Sequence, residues 1–201
     1  MKIAEKRGMS KMEIMDAKQV FQEWGDSLTP GYETIIDLNI VRRSQKGFNN
    51  DNYCHALFFT DYMFRKAQHS ICMLTGGISN NGFLDILFNS FSEAVKRIAE
   101  KGGEVKLITL GPSICDRVDK LREQFKNTLF IEPALTTSGG PLPHFIICDD
   151  KMVRDEQIHG ELSDKTDANE VKAMVYFNNQ AKATVKREKF EGYWKALREA
   201  K

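Results

Sequence analysis

The chain has 201 residues, which is enough for one ordinary domain and too few for two full ones. Its 29 lysines and arginines nearly balance 28 acidic residues, so the net charge of +1 predicts no overall attraction to nucleic acid or to an anionic membrane. No stretch approaches the roughly 18 consecutive apolar residues of a membrane span, and the four cysteines form no CxxC pair. We therefore expect a soluble, cytoplasmic protein without disulfides.

The first 50 residues are predicted to form a separate helical and extended segment. Residues 10–24 carry apolar side chains at roughly helical spacing, and Ser10 with Glu13 forms a capping box. Gly25 and the turn signal at residues 29–31 favour an end to that helix, and residues 33–41 are typical of a strand or an extended run. The apolar side of the helix is predicted to dock on the domain or on a partner.

From residue 51 to residue 201 the pattern alternates between amphipathic helices and short apolar strands. The predicted helices span residues 51–67, 83–101, 115–126 and 181–200. The predicted strands span residues 70–75, 105–110, 129–135, 144–149 and 171–177. This alternation predicts one α/β domain with a layered sheet flanked by helices.

A glycine-rich loop follows the predicted strand at residues 70–75. Backbone amides between a strand and a helix are a common ligand site in open α/β sheets, which makes Gly76, Gly77 and Ser79 candidates for ligand binding. The loop lacks the spacing of either phosphate-loop fingerprint, so a plain connection is the alternative. A second such loop at residues 138–140 leads toward His144 and is predicted to give it room.

Titratable residues bracket the apolar strand that begins at His144. A turn at residues 149–151 would bring Arg154 and Glu156 back beside His144. His144 is therefore a candidate general base or nucleophile oriented by Glu156 or Asp149, and Asp149 and Arg154 are candidate ligand-binding residues. The alternative is structural: Arg154 pairs with one of the acids, and His144 caps the end of the strand.

A small basic cluster lies just before the predicted domain. Arg42, Arg43 and Lys46 beside Phe48 have the composition of a nucleic acid contact, with phosphates on the cations and a base on the ring. A solvated loop is the alternative.

The remaining histidines are far apart in the sequence. His55, His69 and His159 have no cysteine or acidic residue at ligand spacing, so the sequence predicts no metal site.

Four segments follow one another along the chain: residues 71–75, the helix end and strand at residues 101–109, the strand from His144 to Asp149, and residues 190–194. With these segments in this order, the chain from about residue 70 to residue 197 resembles one half of a phospholipase D-like domain. Members of this family carry a His-x-Lys-x-x-x-x-Asp signature on the corresponding strand. Aligning its histidine with His144 puts Ile146 and Lys151 at the other two positions, and aligning its aspartate with Asp149 puts Leu142 at the histidine.

The resemblance implies a mixed sheet, a phospholipase D-like half-domain with an N-terminal helical extension, and pairing with itself or with another chain. Because isoleucine cannot bind an oxyanion and leucine cannot attack, it implies a domain that has lost the usual catalysis. We expect a ligand-binding, regulatory or assembly subunit without a cofactor, whose ligand contains phosphate or is a nucleic acid. The alternative is a metal-independent phosphodiesterase or nuclease that uses His144.

Overall fold

The computed structural model describes residues 12–111, 113–134, 143–159 and 162–200; the loop at residues 138–140 and Leu142 lie outside them. The helices are α1 (Ile14–Val41), α2 (Tyr53–Lys66), α3 (Phe83–Ile86), α4 (Phe88–Glu100), α5 (Asp116–Gln124) and α6 (Gln180–Glu199), with a 3₁₀ turn at Ala168–Glu170. The strands are β1 (Phe48–Asn50), β2 (Ser70–Thr75), β3 (Glu104–Thr109), β4 (Leu129–Pro133), β5 (Phe145–Cys148), β6 (Met152–Glu156) and β7 (Ala173–Tyr176).

The strands form one mixed sheet in the order β1-β7-β6-β5-β2-β3-β4. Strands β2, β3 and β4 are parallel, as the intervening helices α4 and α5 require. On the other side of β2, the neighbouring strands β5, β6, β7 and β1 pair with one another in antiparallel fashion, and β5 is antiparallel to β2. The predicted α/β class with a layered mixed sheet is therefore confirmed.

Both faces of the sheet are covered, and successive side chains along a strand point to opposite faces. Phe145 and Ile147 of β5 pack in a cluster with Phe190 and Trp194 of α6. Ile146 and Cys148 point the other way, into the larger cluster that helices α1, α2, α4 and α5 cover. The central strands are therefore buried on both faces, which holds the ends of β5 in a fixed position.

Helix α1 differs from the prediction for residues 25–41, because the structure has no strand there and the helix continues to Val41. Pro30 lies inside the helix and cannot donate a hydrogen bond to the preceding turn, yet packing on α2 offsets that loss. The ring of Tyr32 stacks on Phe58 at 4.6 Å between centroids, and Phe21 meets the same ring edge-on at 5.0 Å. Although α1 is long, no helix in the described part of the chain is apolar enough over a sufficient length to cross a membrane.

Candidate functional site

Three strand ends meet at one edge of the sheet. Leu74 near the carboxyl end of β2 pairs with Phe145 at the amino end of β5, and Phe145 pairs with Asp155 of β6. The Glu156 amide donates to the His144 carbonyl at 3.0 Å, so the residues flanking β5 and closing β6 lie side by side. The tight turn between these strands, at residues 149–151, brings Glu156 back beside His144 as the sequence suggested.

A cleft with a volume of about 900 Å³ opens at this edge. The loop after β2 forms one wall and contributes the three residues that the sequence singled out there, Gly76, Gly77 and Ser79. His144, Arg154 and Glu156 form the floor beside them. The first turns of α1, the start of α2, the segment after β3 and residues 162–164 also contribute to the lining.

Two histidines share one oxygen of Glu156. His144 Nδ1 lies 3.1 Å from Glu156 Oε1, and His159 Nε2 lies 2.5 Å from the same atom. An ionised carboxylate only accepts hydrogen bonds, so both of these ring nitrogens carry the proton when the rings are neutral. No hydrogen bond from the described residues reaches His144 Nε2, whose lone pair is then available as a base or nucleophile.

The other oxygen of Glu156 binds Arg154. Arg154 Nη2 pairs with Glu156 Oε2, and Arg154 Nε donates to Asn50 Oδ1 at 3.2 Å. Burial by itself raises the pKa of Glu156, but Arg154 and the hydrogen bonds from the two histidines outweigh it and hold that pKa well below its ordinary value. The Arg154 side chain is almost fully buried, at 3% exposure, and its guanidinium is engaged in the ion pair with Glu156.

A second ion pair crosses the mouth of the cleft. Lys18 Nζ of α1 binds Asp164 Oδ1 at 2.6 Å and donates to the Asn81 carbonyl at 2.8 Å. Each cation among the described lining residues is thus paired with an acid, and the fixed charges of the cleft cancel. Tyr53 also lines the cleft, and burial raises the pKa of its phenol, which remains a neutral hydrogen-bonding group.

Sequence reasoning missed His159, Lys18, Tyr53 and Asp164. Residues 157–159 follow β6 without a regular pattern, so the return of His159 to Glu156 had no periodic signal. Lys18 lies on an amphipathic helix, where a lysine on the polar side is ordinarily solvated. The spacing of three residues between Glu156 and His159 was a weak available signal, and the expectation that His159 has no acidic residue at ligand spacing overlooked it.

Asp149 lies at the opposite end of β5 from His144. Its backbone has a positive φ of 52°, and its carboxylate accepts from the backbone amides of Gln68, His69 and Ser70 at 2.7–3.2 Å. The structure therefore does not bring Asp149 together with the other candidate residues. Its contacts tie the start of β2 to the β5–β6 turn.

The basic cluster also lies apart from the cleft. Arg42 and Arg43 follow the end of α1, and both are exposed, as is Lys46. None of the three lines the cleft. Their role in binding nucleic acid stays a prediction.

Comparisons with known proteins address the fold. No family model matches the sequence, and no curated protein matches it significantly. Among solved structures, TrmBL2, an archaeal chromatin protein whose structure shows a mode of DNA binding, aligns over 91% of this chain with 16% identity and a TM-score of 0.55. This chain covers 66% of TrmBL2, just under two thirds of its length.

Two further solved structures are also similar. Nuc of Salmonella typhimurium, a phospholipase D family member, has 16% identity over 75% of this chain and 93% of its own, with a TM-score of 0.49. NucT of Helicobacter pylori has 14% identity over 72% of this chain and 86% of its own, with a TM-score of 0.43. The fold of the chain is similar to the folds of these structures. At these identities the likeness concerns the fold alone.

The residues at the positions of the phospholipase D signature, aligned as above, are unsuited to the chemistry that the resemblance implies. With the signature histidine at His144, the lysine position is occupied by Ile146, whose side chain is buried in the main core. Lys151 falls in the turn between β5 and β6, at the far end of the hairpin. A His–Glu pair therefore remains without the cation that would hold a phosphate beside it.

Proposed function

We propose that this phospholipase D-like domain is a regulatory or assembly subunit that binds a small polar ligand in the cleft at His144. The observation that supports the proposal best is the cancelled charge of the described lining residues. A phosphodiesterase needs cations to stabilise charge that develops on the phosphate, and here Arg154 and Lys18 are already engaged by Glu156 and Asp164. A neutral ligand or a single anion suits such a cleft better than a polyanion.

The polar groups that remain are suited to hydrogen bonding. His144 Nε2 offers an acceptor when its ring is neutral, Tyr53 offers a hydroxyl, and Gly76, Gly77 and Ser79 offer backbone and hydroxyl groups. Pockets that recognise small molecules combine apolar walls with a few fixed polar groups of this kind. The preferred ligand is therefore an uncharged compound rich in hydroxyl or amide groups.

A regulatory role gains support from the contact between the cleft and α1. Lys18 bridges the cleft mouth, and the Ile14 and Met15 amides donate to the Thr166 and Asp164 carbonyls at 2.9 and 3.1 Å. A ligand that displaces or tightens the Lys18 contact would act directly on the helix. Its effect would then extend to the other end of α1, where apolar side chains are exposed.

We further propose that the chain pairs with a second copy through α1. Trp24, Leu28, Ile35 and Leu38 are all more than 40% exposed, and with Gly31 they follow the alternating spacing of four and three residues that is typical of a helical pairing seam. Two copies of this seam are chemically self-complementary. The exposed cations at the end of α1, Arg42, Arg43 and Lys46, would then double in number, which is compatible with a nucleic acid partner.

The second candidate function is metal-independent phosphodiester hydrolysis. It is favoured by the hydrogen bond between Glu156 and His144 Nδ1, which orients the ring and makes Nε2 a better base or nucleophile. Its weakness is the lack of an oxyanion partner at Ile146. A single assay of phosphodiester and DNA cleavage with added chelator separates this candidate from the binding role.

The deciding experiment is a ligand screen read out by the melting temperature of chelator-treated protein. Uncharged polyhydroxyl and amide compounds form one arm, and inorganic phosphate and sulfate form the other. We expect hits in the first arm whose affinity falls about tenfold or more in His144→Ala, since a hydrogen-bond partner in the cleft is lost. His69→Ala, an exposed histidine outside the cleft, is the matched control and should bind as the wild type does. Cleavage activity without ligand stabilisation would favour the hydrolase instead.

The four cysteines are unpaired, which fits a cytoplasmic location for this subunit.

A further inference from the structure

Three potential metal ligands converge on the floor of the cleft. His144, Glu156 and His159 each offer one ligating atom, and these atoms lie within 4.8 Å of one another. The three residues come from the start of β5, the end of β6 and the segment after it. The sequence analysis predicted no metal site, because it treated His159 as isolated, without a cysteine or acidic residue at ligand spacing.

Two of the three ligand separations are close to those in a metal centre, and the third, between the two histidine nitrogens, is within 4.8 Å. Zinc bonds nitrogen and oxygen ligands at about 2.0–2.2 Å, so two ligands at a tetrahedral angle stand roughly 3.3 Å apart. His144 Nδ1 and Glu156 Oε1 are already 3.1 Å apart. His159 Nε2, at 2.5 Å from the same oxygen, would need to withdraw by less than about 1 Å.

The surroundings hold these ligands in place. Arg154 binds Glu156 Oε2 and leaves Oε1 for the ion, an outer contact of the kind that fixes ligating carboxylates in metal proteins. The rings of His144 and His159 meet edge to face with centroids 5.1 Å apart, which restricts both. Ligands and supporting contacts are therefore arranged before any ion arrives.

We propose that His144 Nδ1, Glu156 Oε1 and His159 Nε2 form a binding site for a divalent transition-metal ion, with zinc as the reference ion. Two imidazoles and one carboxylate are a ligand set that zinc accepts. Each histidine would hold its proton on the other ring nitrogen when the ion replaces the present hydrogen bonds. The inference extends beyond the proposed ligand binding and does not depend on it.

The charge balance predicts an open coordination position. Arg154 neutralises Glu156, so a divalent ion brings two positive charges that no described residue of the cleft offsets. Such an ion would be stabilised by water, hydroxide or an anion supplied from the cleft. Three protein ligands with a fourth position open are typical of zinc sites that bind or activate a small molecule.

The test uses the tag-free full chain, stripped with chelator and titrated with zinc by calorimetry. We expect one zinc per chain for the wild type and for His69→Ala, with affinity about tenfold lower or worse in both His144→Ala and His159→Ala, because each loses a ligand. Cobalt(II) should give an absorption band in the visible range that is lost in the same two variants.

The result that would overturn the proposal is unchanged zinc affinity in both histidine variants, or no binding by the wild type. Circular dichroism and the metal-free melting temperature establish that the variants are folded. Because two different histidines are substituted, the test still holds if one of the two variants does not fold. Because the ligand screen is run on chelator-treated protein, loss of zinc binding leaves the ligand-binding proposal standing, and the reverse also holds.

Discussion

Glu156 links the polar groups of the cleft. Its two oxygens receive His144, His159 and Arg154, and all of these contacts are buried or nearly so. Such a network stabilises the protein only while each partner is present, because a buried charge without its counter-ion is costly. The residue is therefore expected to matter for stability as well as for binding.

We expect Glu156→Gln to lower the free energy of unfolding at pH 7 by about 3–5 kcal/mol, since Arg154 keeps a buried charge that is no longer neutralised. Urea denaturation measures the loss. Glu188→Gln, an exposed residue of α6, is the matched control and should change stability by no more than about 0.5 kcal/mol. An equally small effect at Glu156 would mean that the ion pair does not form.

The same substitution predicts a pH dependence. The pKa of Glu156 is lowered in the folded state, so its contribution is complete above the unfolded value of about 4.5 and is lost as the pH falls toward the folded value. The stability difference between the wild type and Glu156→Gln should therefore narrow as the pH is lowered below about 4.5. A constant difference from pH 7 to pH 3 would contradict the shift.

At the scale of elements, two glycines differ in the space that surrounds them: one lies in a tight connection and the other on an open helix surface. Gly103 joins α4 to β3, and a Cβ built there would stand 2.0 Å from the His69 carbonyl oxygen, a backbone atom that cannot easily move away. Gly192 lies inside α6, and a Cβ there meets nothing within 4 Å. The two positions respond to one added methyl group in opposite ways.

We expect Gly103→Ala to destabilise the protein by about 1–3 kcal/mol through overpacking. Gly192→Ala is the internal control and should stabilise it by about 0.5–1 kcal/mol, because alanine is the better helix former. Thermal melting of the two variants beside the wild type gives both signs at once. Shifts of the same sign would show that the α4–β3 connection is looser than its geometry indicates.

At the scale of the whole molecule, α1 connects the cleft to the proposed pairing surface. Its first turns carry Lys18 at the cleft mouth, and its later turns expose the apolar seam from Trp24 to Leu38. A continuous helix of 28 residues would move as one body, so an event at one end is felt at the other. The regulatory proposal depends on this continuity.

We expect the wild type to sediment at twice the chain mass of 23.0 kDa, and Ile35→Glu with Leu38→Glu to shift it to the monomer, because two buried charges would face each other across the seam. Val185→Glu on α6, where the side chain is 63% exposed, is the control and should remain a dimer. Analytical ultracentrifugation reads out all three. A monomeric wild type at micromolar concentration would remove the pairing proposal.

The features that the sequence predicted correctly are those that depend on residues close together in the chain. From residue 51 onward, the alternation of 3.6-residue and two-residue periods predicted α2, α5, α6 and most strands, and it predicted α3 and α4 as one continuous helix, because each element there buries one face or both. A tight turn at residues 149–151 also sufficed to predict that Arg154 and Glu156 return to His144. These features depend on residues that are only a few positions apart, so they are visible in the local sequence pattern.

Tertiary contacts decided the rest. Residues 33–41 were wrongly predicted to be extended, because Gly25 and Pro30 are breakers by themselves, whereas packing on α2, which includes the rings of Tyr32 and Phe21, keeps the helix continuous. His159 and Lys18 reach the cleft from segments whose sequences carry no periodic sign of it, and Asp149 is held away because it lies at the opposite end of β5. The sequence by itself determined which elements form, whereas the arrangement of distant segments determined which side chains meet, since contacts over long sequence separation leave no local pattern.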